Sequence, residues 1–117
     1  MSTVFETPVS AAFYPVTVKA FSPITGTLDN IETTILTYTS LGQETVSDII
    51  ISGTCYARFN IYLNTSLGFV IRSGPSRQAN LSIQRPLQLT TGDVLDVKVI
   101  HYYVGDVEDF EATLLGV

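Results

Sequence analysis

A chain of 117 residues has the length of one domain and is long enough to bury a hydrophobic core without staples. Apolar residues make up 45 % and charged residues 15 %, which argues against a disordered chain. The net charge of −5, with arginines scattered at Arg58, Arg72, Arg77 and Arg85 and no basic run, argues against nucleic acid as a partner.

Cys55 is the single cysteine, so neither an internal disulfide nor a cysteine-based zinc centre can form. So few charges on a small domain of positive mean hydropathy leave apolar surface bare. That surface is expected to be covered by a partner, as in a homo-oligomer or a larger assembly.

Residues 1–15, "MSTVFETPVSAAFYP", have no regular period. Glu6 and Pro8 stand where a signal peptide needs an apolar helix, and no basic leader precedes them. Phe5, Phe13 and Tyr14 would be costly to leave in water. This segment is therefore read as an extended N-terminal arm that packs on a neighbouring subunit, and residues 16–117 as one domain. No stretch approaches the ~18–20 apolar residues that span a membrane as a helix.

From residue 16 onward, period-2 alternation dominates over helical spacing. Strands are expected at "VTVKAF" (16–21), "IETTILTYT" (31–39), "TVSDIIIS" (45–52) and the run around "CYARFNIYL" (55–63). Further strands are expected at "LGFVIR" (67–72), "NLSI" (80–83), "VLDVKVIHY" (94–102) and "DFEATLL" (109–115). Gly42-Gln43, Ser52-Gly53, Asn64-Thr65-Ser66, Ser73-Gly74-Pro75 and Gly92-Asp93 supply the turns between them. About eight short strands at this spacing define an all-β chain, an antiparallel β-sandwich of jelly-roll type.

Alternation also assigns faces. Cys55, Ala57, Phe59, Ile61 and Leu63 point one way, so Cys55 reads as a small buried hydrophobe rather than a nucleophile. Tyr56, Arg58, Asn60 and Tyr62 point outward, a mixture that suits a protein interface or, with Tyr102 and Tyr103, a sugar-stacking surface.

Leu95, Val97, Val99 and His101 share the inward face of a later strand. His101 is the only candidate general base at neutral pH. No serine or cysteine motif accompanies it, so it reads as a core histidine satisfied by a backbone or tyrosine partner.

The acids Asp106, Glu108, Asp109 and Glu111 could in principle hold calcium or act as paired carboxylates, but their spacing fits no calcium loop and a solvated hairpin is the simpler reading. Arg72 and Arg77 flank a Gly-Pro turn. They could fork around a carboxylate or phosphate, or pair with Asp93, Asp96 or the 106–111 acids. The sequons at Asn64 and Asn80 mean little without a secretory route. No cofactor, metal or catalytic residue is called.

The order of these elements carries a resemblance. A strand closing in Ser52-Gly53 is followed by "ARFNIYLN" and an arginine-containing turn. Then come "L…GDVLDVKV.H" and a closing "DFEATLLG". Over residues 30–117 this resembles small β-sandwich virion structural proteins of tailed bacteriophages.

The resemblance implies a non-enzymatic protein made in the host cytoplasm and built into the virion. It would act by contact with the major capsid protein as capsid decoration (cement), or with tail proteins as a fibre-attachment or baseplate adaptor. A carbohydrate-binding host-attachment module is the alternative from another class. On the structural reading, Phe5, Phe13 and Tyr14 are the expected anchors, with Tyr56, Arg58 and Tyr62 as a second contact strip.

Overall fold

The computed structural model describes residues 17–72 and 78–117, with the backbone alone for 78–85. Among these residues nine strands form: β1 (Thr17–Phe21), β2 (Thr25–Leu28), β3 (Thr33–Thr39), β4 (Glu44–Gly53), β5 (Arg58–Leu63), β6 (Ser66–Arg72), β7 (Gln78–Leu89), β8 (Val94–Ile100) and β9 (Val107–Gly116). They build two antiparallel sheets. In the five-stranded sheet β9 has β1 and β2 end to end on one side and β4 on the other, and β4 leads to β7; the four-stranded sheet runs β3-β8-β5-β6.

Pairing of β2 with β9, β3 with β8, β4 with β7 and β5 with β6 makes the chain one long hairpin with its tip between β5 and β6. Rolling that hairpin brings β9 beside β4 and β8 beside β5. This is the jelly-roll connectivity of two Greek keys.

The two inner faces meet in a core that includes Val46, Ile49, Ile51, Phe59, Ile61, Leu95, Val97, Val99, Phe110 and Leu114, each almost fully buried. Strict alternation could not bury both Val46 and Ile49, which lie three positions apart. A bulge between Val46 and Asp48 inserts Ser47 and restores the inward direction. The same device between Thr34 and Leu36 lets Ile35 and Leu36 both enter the core.

Strand β7 runs longer than "NLSI" implied and contains Pro86. The proline is tolerated because, among the described residues, β7 pairs only with β4, and Pro86 falls between the paired residues Ser82 and Leu87.

The hairpin tip is a two-residue turn. Leu63 pairs with Ser66, and both Asn64 (φ 50°) and Thr65 (φ 71°) adopt left-handed backbone, as the tightest hairpins require. Asn64 tolerates this, and its Oδ1 accepts the Val94 N–H at 2.9 Å. Thr65 is β-branched and is strained there. Thr65→Gly should therefore raise stability by about 1 kcal/mol, seen as a higher urea midpoint with an unchanged m-value.

A polar cluster ties the sheets together at one edge. Glu44, at the start of β4, accepts hydrogen bonds from the Tyr38 hydroxyl and from Ser40 Oγ (2.7 Å), and Lys19 Nζ of β1 lies 3.0 Å away. The Glu44 side chain is only 14 % exposed. The Tyr38 bond, then the Ser40 bond, hold its carboxyl down at about 2, against an ordinary value of 4.5. Burial, reinforced by Glu44, pushes the Tyr38 phenol up to about 12.

A carboxyl depressed on folding contributes stability that is complete above its unfolded value and lost as the pH falls through the folded one. Glu44→Gln should thus cost about 1–2 kcal/mol at pH 7 and almost nothing near pH 2. Between pH 4.5 and about 2, its acid-unfolding curve should be flatter than that of the parent.

Candidate functional site

The first candidates from the sequence are structural. His101 follows β8 directly and is fully buried. Its Nε2 lies 3.0 Å from the Thr27 carbonyl oxygen, which can only accept, so Nε2 carries the proton. Nδ1 accepts the Tyr103 N–H at 3.2 Å. Both ring nitrogens are occupied by backbone, and the ring packs 5.8 Å from Phe110. In this arrangement neither nitrogen is open to a reacting group.

Cys55 is buried, and burial pushes its thiol up to about 11, which leaves it protonated and a poor nucleophile at neutral pH.

The acids near the C-terminus separate. Asp109 and Glu111 lie on the outward face of β9, Glu111 accepting from Ser52 Oγ at 2.9 Å and Glu108 from Thr54 Oγ1 at 2.6 Å. Among the described residues no three His, Cys, Asp or Glu groups converge as a metal cage.

Phe5, Phe13, Tyr14 and Arg77 lie outside the described residues. The remaining strip lies on the outer side of the four-stranded sheet. Arg58 and Tyr62 project from β5, and Tyr56 stands just before it, half exposed.

The strip is wired by hydrogen bonds. Arg58 Nε donates to Asn60 Oδ1 at 2.9 Å, Asn60 Nδ2 donates to Glu32, and the Tyr62 hydroxyl donates to Glu32 at 3.0 Å. Glu32 in turn raises the Tyr62 phenol above its ordinary range. Lys98 Nζ sits 4.7 Å from the centre of the Tyr62 ring, a cation–π distance. Closed over by these neighbours, Asn60 is buried although it faces outward.

The expectation that Arg72 pairs with Asp93, Asp96 or the acids at 106–111 is not met among the described residues, where the ion pair is Lys19–Glu44. Asp93 is held by the Thr90 N–H and Asn64 at the β7–β8 turn, and Asp96 accepts from Thr37 Oγ1 at 2.6 Å. Arg72 ends β6, and register sets it directly opposite Arg58, which is opposite Ile100. The strand length of the sheet separates it from Asp93.

Arg58 and Arg72 line one open cleft of about 140 Å³ together with Tyr56, Ala57 and Tyr102. Its walls are pinned. The Thr54 N–H donates to the Asp109 carbonyl at 3.0 Å, and the Asp109 N–H returns a bond to Thr54 Oγ1. On the other side, the Asn30 N–H donates to the His101 carbonyl at 2.8 Å, and the Gly105 N–H to Asp29. The sequence groups Tyr56 and Tyr102 as sugar-stacking tyrosines and Tyr56 with Arg58 on one strip, but gives no sign that Arg72 stands beside them.

The sandwich and this cleft define the protein as a two-sheet jelly-roll domain with a cationic, aromatic surface cleft. A scan against protein-family models finds no match, and no curated protein matches the chain.

Proposed function

We propose that this chain is a non-enzymatic structural protein of a bacteriophage virion that acts by protein–protein contact as capsid decoration. The sequence resemblance over residues 30–117 supports the virion setting. The observation that carries the contact role is an apolar border along the outer side of β1 and β2. Val18, Phe21, Ile24, Leu28 and Val107 are each more than half exposed there, Phe21 and Ile24 at 68 %.

Leu28 and Val107 are cross-strand partners, so their side chains form continuous surface. β1 and β2 also present an unpaired backbone edge among the described residues. An edge of this kind accepts a neighbouring chain. Copies repeated over a lattice bind by avidity, so no single contact needs to be strong.

The test is immunogold labelling of purified particles with antibody raised against this chain. Gold over the head is expected. Gold on the tail would replace decoration by a tail-adaptor role, and no gold on intact or opened particles would overturn the virion reading.

A further inference from the structure

The cleft between β5, β6 and the loop after β8 has a feature that packing does not explain. Arg58 and Arg72 are directly opposite each other on neighbouring strands, an arrangement that is destabilising for like charges. Among the described residues the ion pair is Lys19–Glu44, and neither arginine forms one. The nearest linked carboxylate, Glu32, is reached only through Asn60 and is already engaged by Asn60 and Tyr62. Lys98 adds a third cation on the same face, opposite Asn60.

Two adjacent guanidinium forks are a ready receptor for a planar oxyanion, and a carboxylate satisfies them bidentately. The other two large groups of the cleft are the Tyr56 and Tyr102 rings, 52 % and 59 % exposed. Aromatic surface beside an arginine pair fits a ligand that joins a carboxylate to a ring with apolar C–H faces.

At about 140 Å³ the cleft falls below the roughly 300–1,000 Å³ of pockets that engulf drug-sized ligands, so it takes one ring and leaves the rest outside. We infer that this cleft binds an acidic sugar, a pyranose bearing a carboxylate, with Arg58 and Arg72 on the carboxylate and Tyr56 and Tyr102 against the ring.

A lone aspartate or glutamate from a protein partner would use the arginines but not the tyrosines, which is why the sugar acid is favoured. The inference does not depend on the proposed virion role, because binding is read on the purified chain and particle location by labelling.

The experiment is a thermal-shift and calorimetric titration of the full chain with galacturonate and N-acetylneuraminate. Galactose, acetate and a glutamate-rich peptide serve as comparisons. At least one sugar acid should stabilise the chain, raising Tm by about 5 °C at tenfold excess over Kd, while galactose gives no shift and acetate binds at least tenfold more weakly.

Arg72→Gln should abolish the response while leaving the free protein as stable as the parent or more so, because it removes the like-charge pair. That pattern separates lost binding from lost folding. Absence of a response to either sugar acid, equal binding of acetate, tighter binding of the peptide, or undiminished binding by Arg72→Gln would each overturn the proposal.

Discussion

Phe110→Ala should be among the most damaging single substitutions in this chain, with a loss of about 3–5 kcal/mol. Phe110 lies on β9, flanked by Thr25 of β2 on one side and Gly53 of β4 on the other. It is 1 % exposed. Its ring meets Phe59 of the opposite sheet edge to face, with centroids 5.6 Å apart and planes at 82°. Truncation would remove an aromatic pair across the two layers and leave a cavity that the surrounding strands cannot close.

Domains of this size have only about 5–15 kcal/mol of net stability, so the loss removes a large share of it. Urea unfolding followed by tyrosine fluorescence measures this directly, and a loss below about 1 kcal/mol would contradict the packing described. Gly53 offers a second handle on the same contact. A Cβ there would lie 2.2 Å from the Phe110 ring, so Gly53→Ala must push the ring aside at a cost of about 1–3 kcal/mol. Combined with Phe110→Leu, that cost should shrink, because the two changes share one space.

The alternation in the sequence made the sandwich legible, because each strand has one face in the core and one outside. Runs such as Leu95, Val97 and Val99, or Phe110, Ala112 and Leu114, can be satisfied only by a two-layer arrangement. β2 escaped notice because Thr25–Leu28 is four residues long with a glycine inside, too short to show a period. The bulges at Ser47 and Ile35 were hidden for a related reason. A bulge is set by the partner strand, and a single run of sequence contains no record of its partner.

The same limit applies to the cleft. Tyr56, Arg58 and Tyr62 were legible as an outward strip, since period 2 is a local property. That Arg72 stands opposite Arg58 depends on the two-residue turn at Asn64 and Thr65 and on the register it imposes. Tyr102 joins them only because β8 pairs with β5 and its closing loop is fixed to Asp29 and Asn30. Pairing Arg72 with Asp93 was reasonable by charge but wrong by geometry, because the acid sits at the opposite end of the sheet.

His101→Leu should cost about 2–4 kcal/mol although leucine is the more hydrophobic residue and close to histidine in size. The imidazole is fully buried and serves two backbone groups from two segments: the Thr27 carbonyl of β2, at 3.0 Å, and the Tyr103 N–H of the loop after β8, at 3.2 Å. Leucine would leave the buried Thr27 carbonyl without a partner, at a penalty of about 1–3 kcal/mol, and would take the acceptor from the part-buried Tyr103 N–H at a smaller one, offset in part by the gain in apolar burial.

The two halves of this role can be separated. Glutamine can place an amide N–H where Nε2 stands and keep the bond to Thr27. Asparagine can place a carbonyl near Nδ1 and keep the bond to Tyr103. Each should lose less than leucine, and by different routes. Amide exchange at Tyr103 should accelerate in His101→Leu and His101→Gln but stay slow in His101→Asn. Equal exchange in all three would mean that the histidine does not hold this loop, and the wall of the cleft that carries Tyr102 would need another anchor.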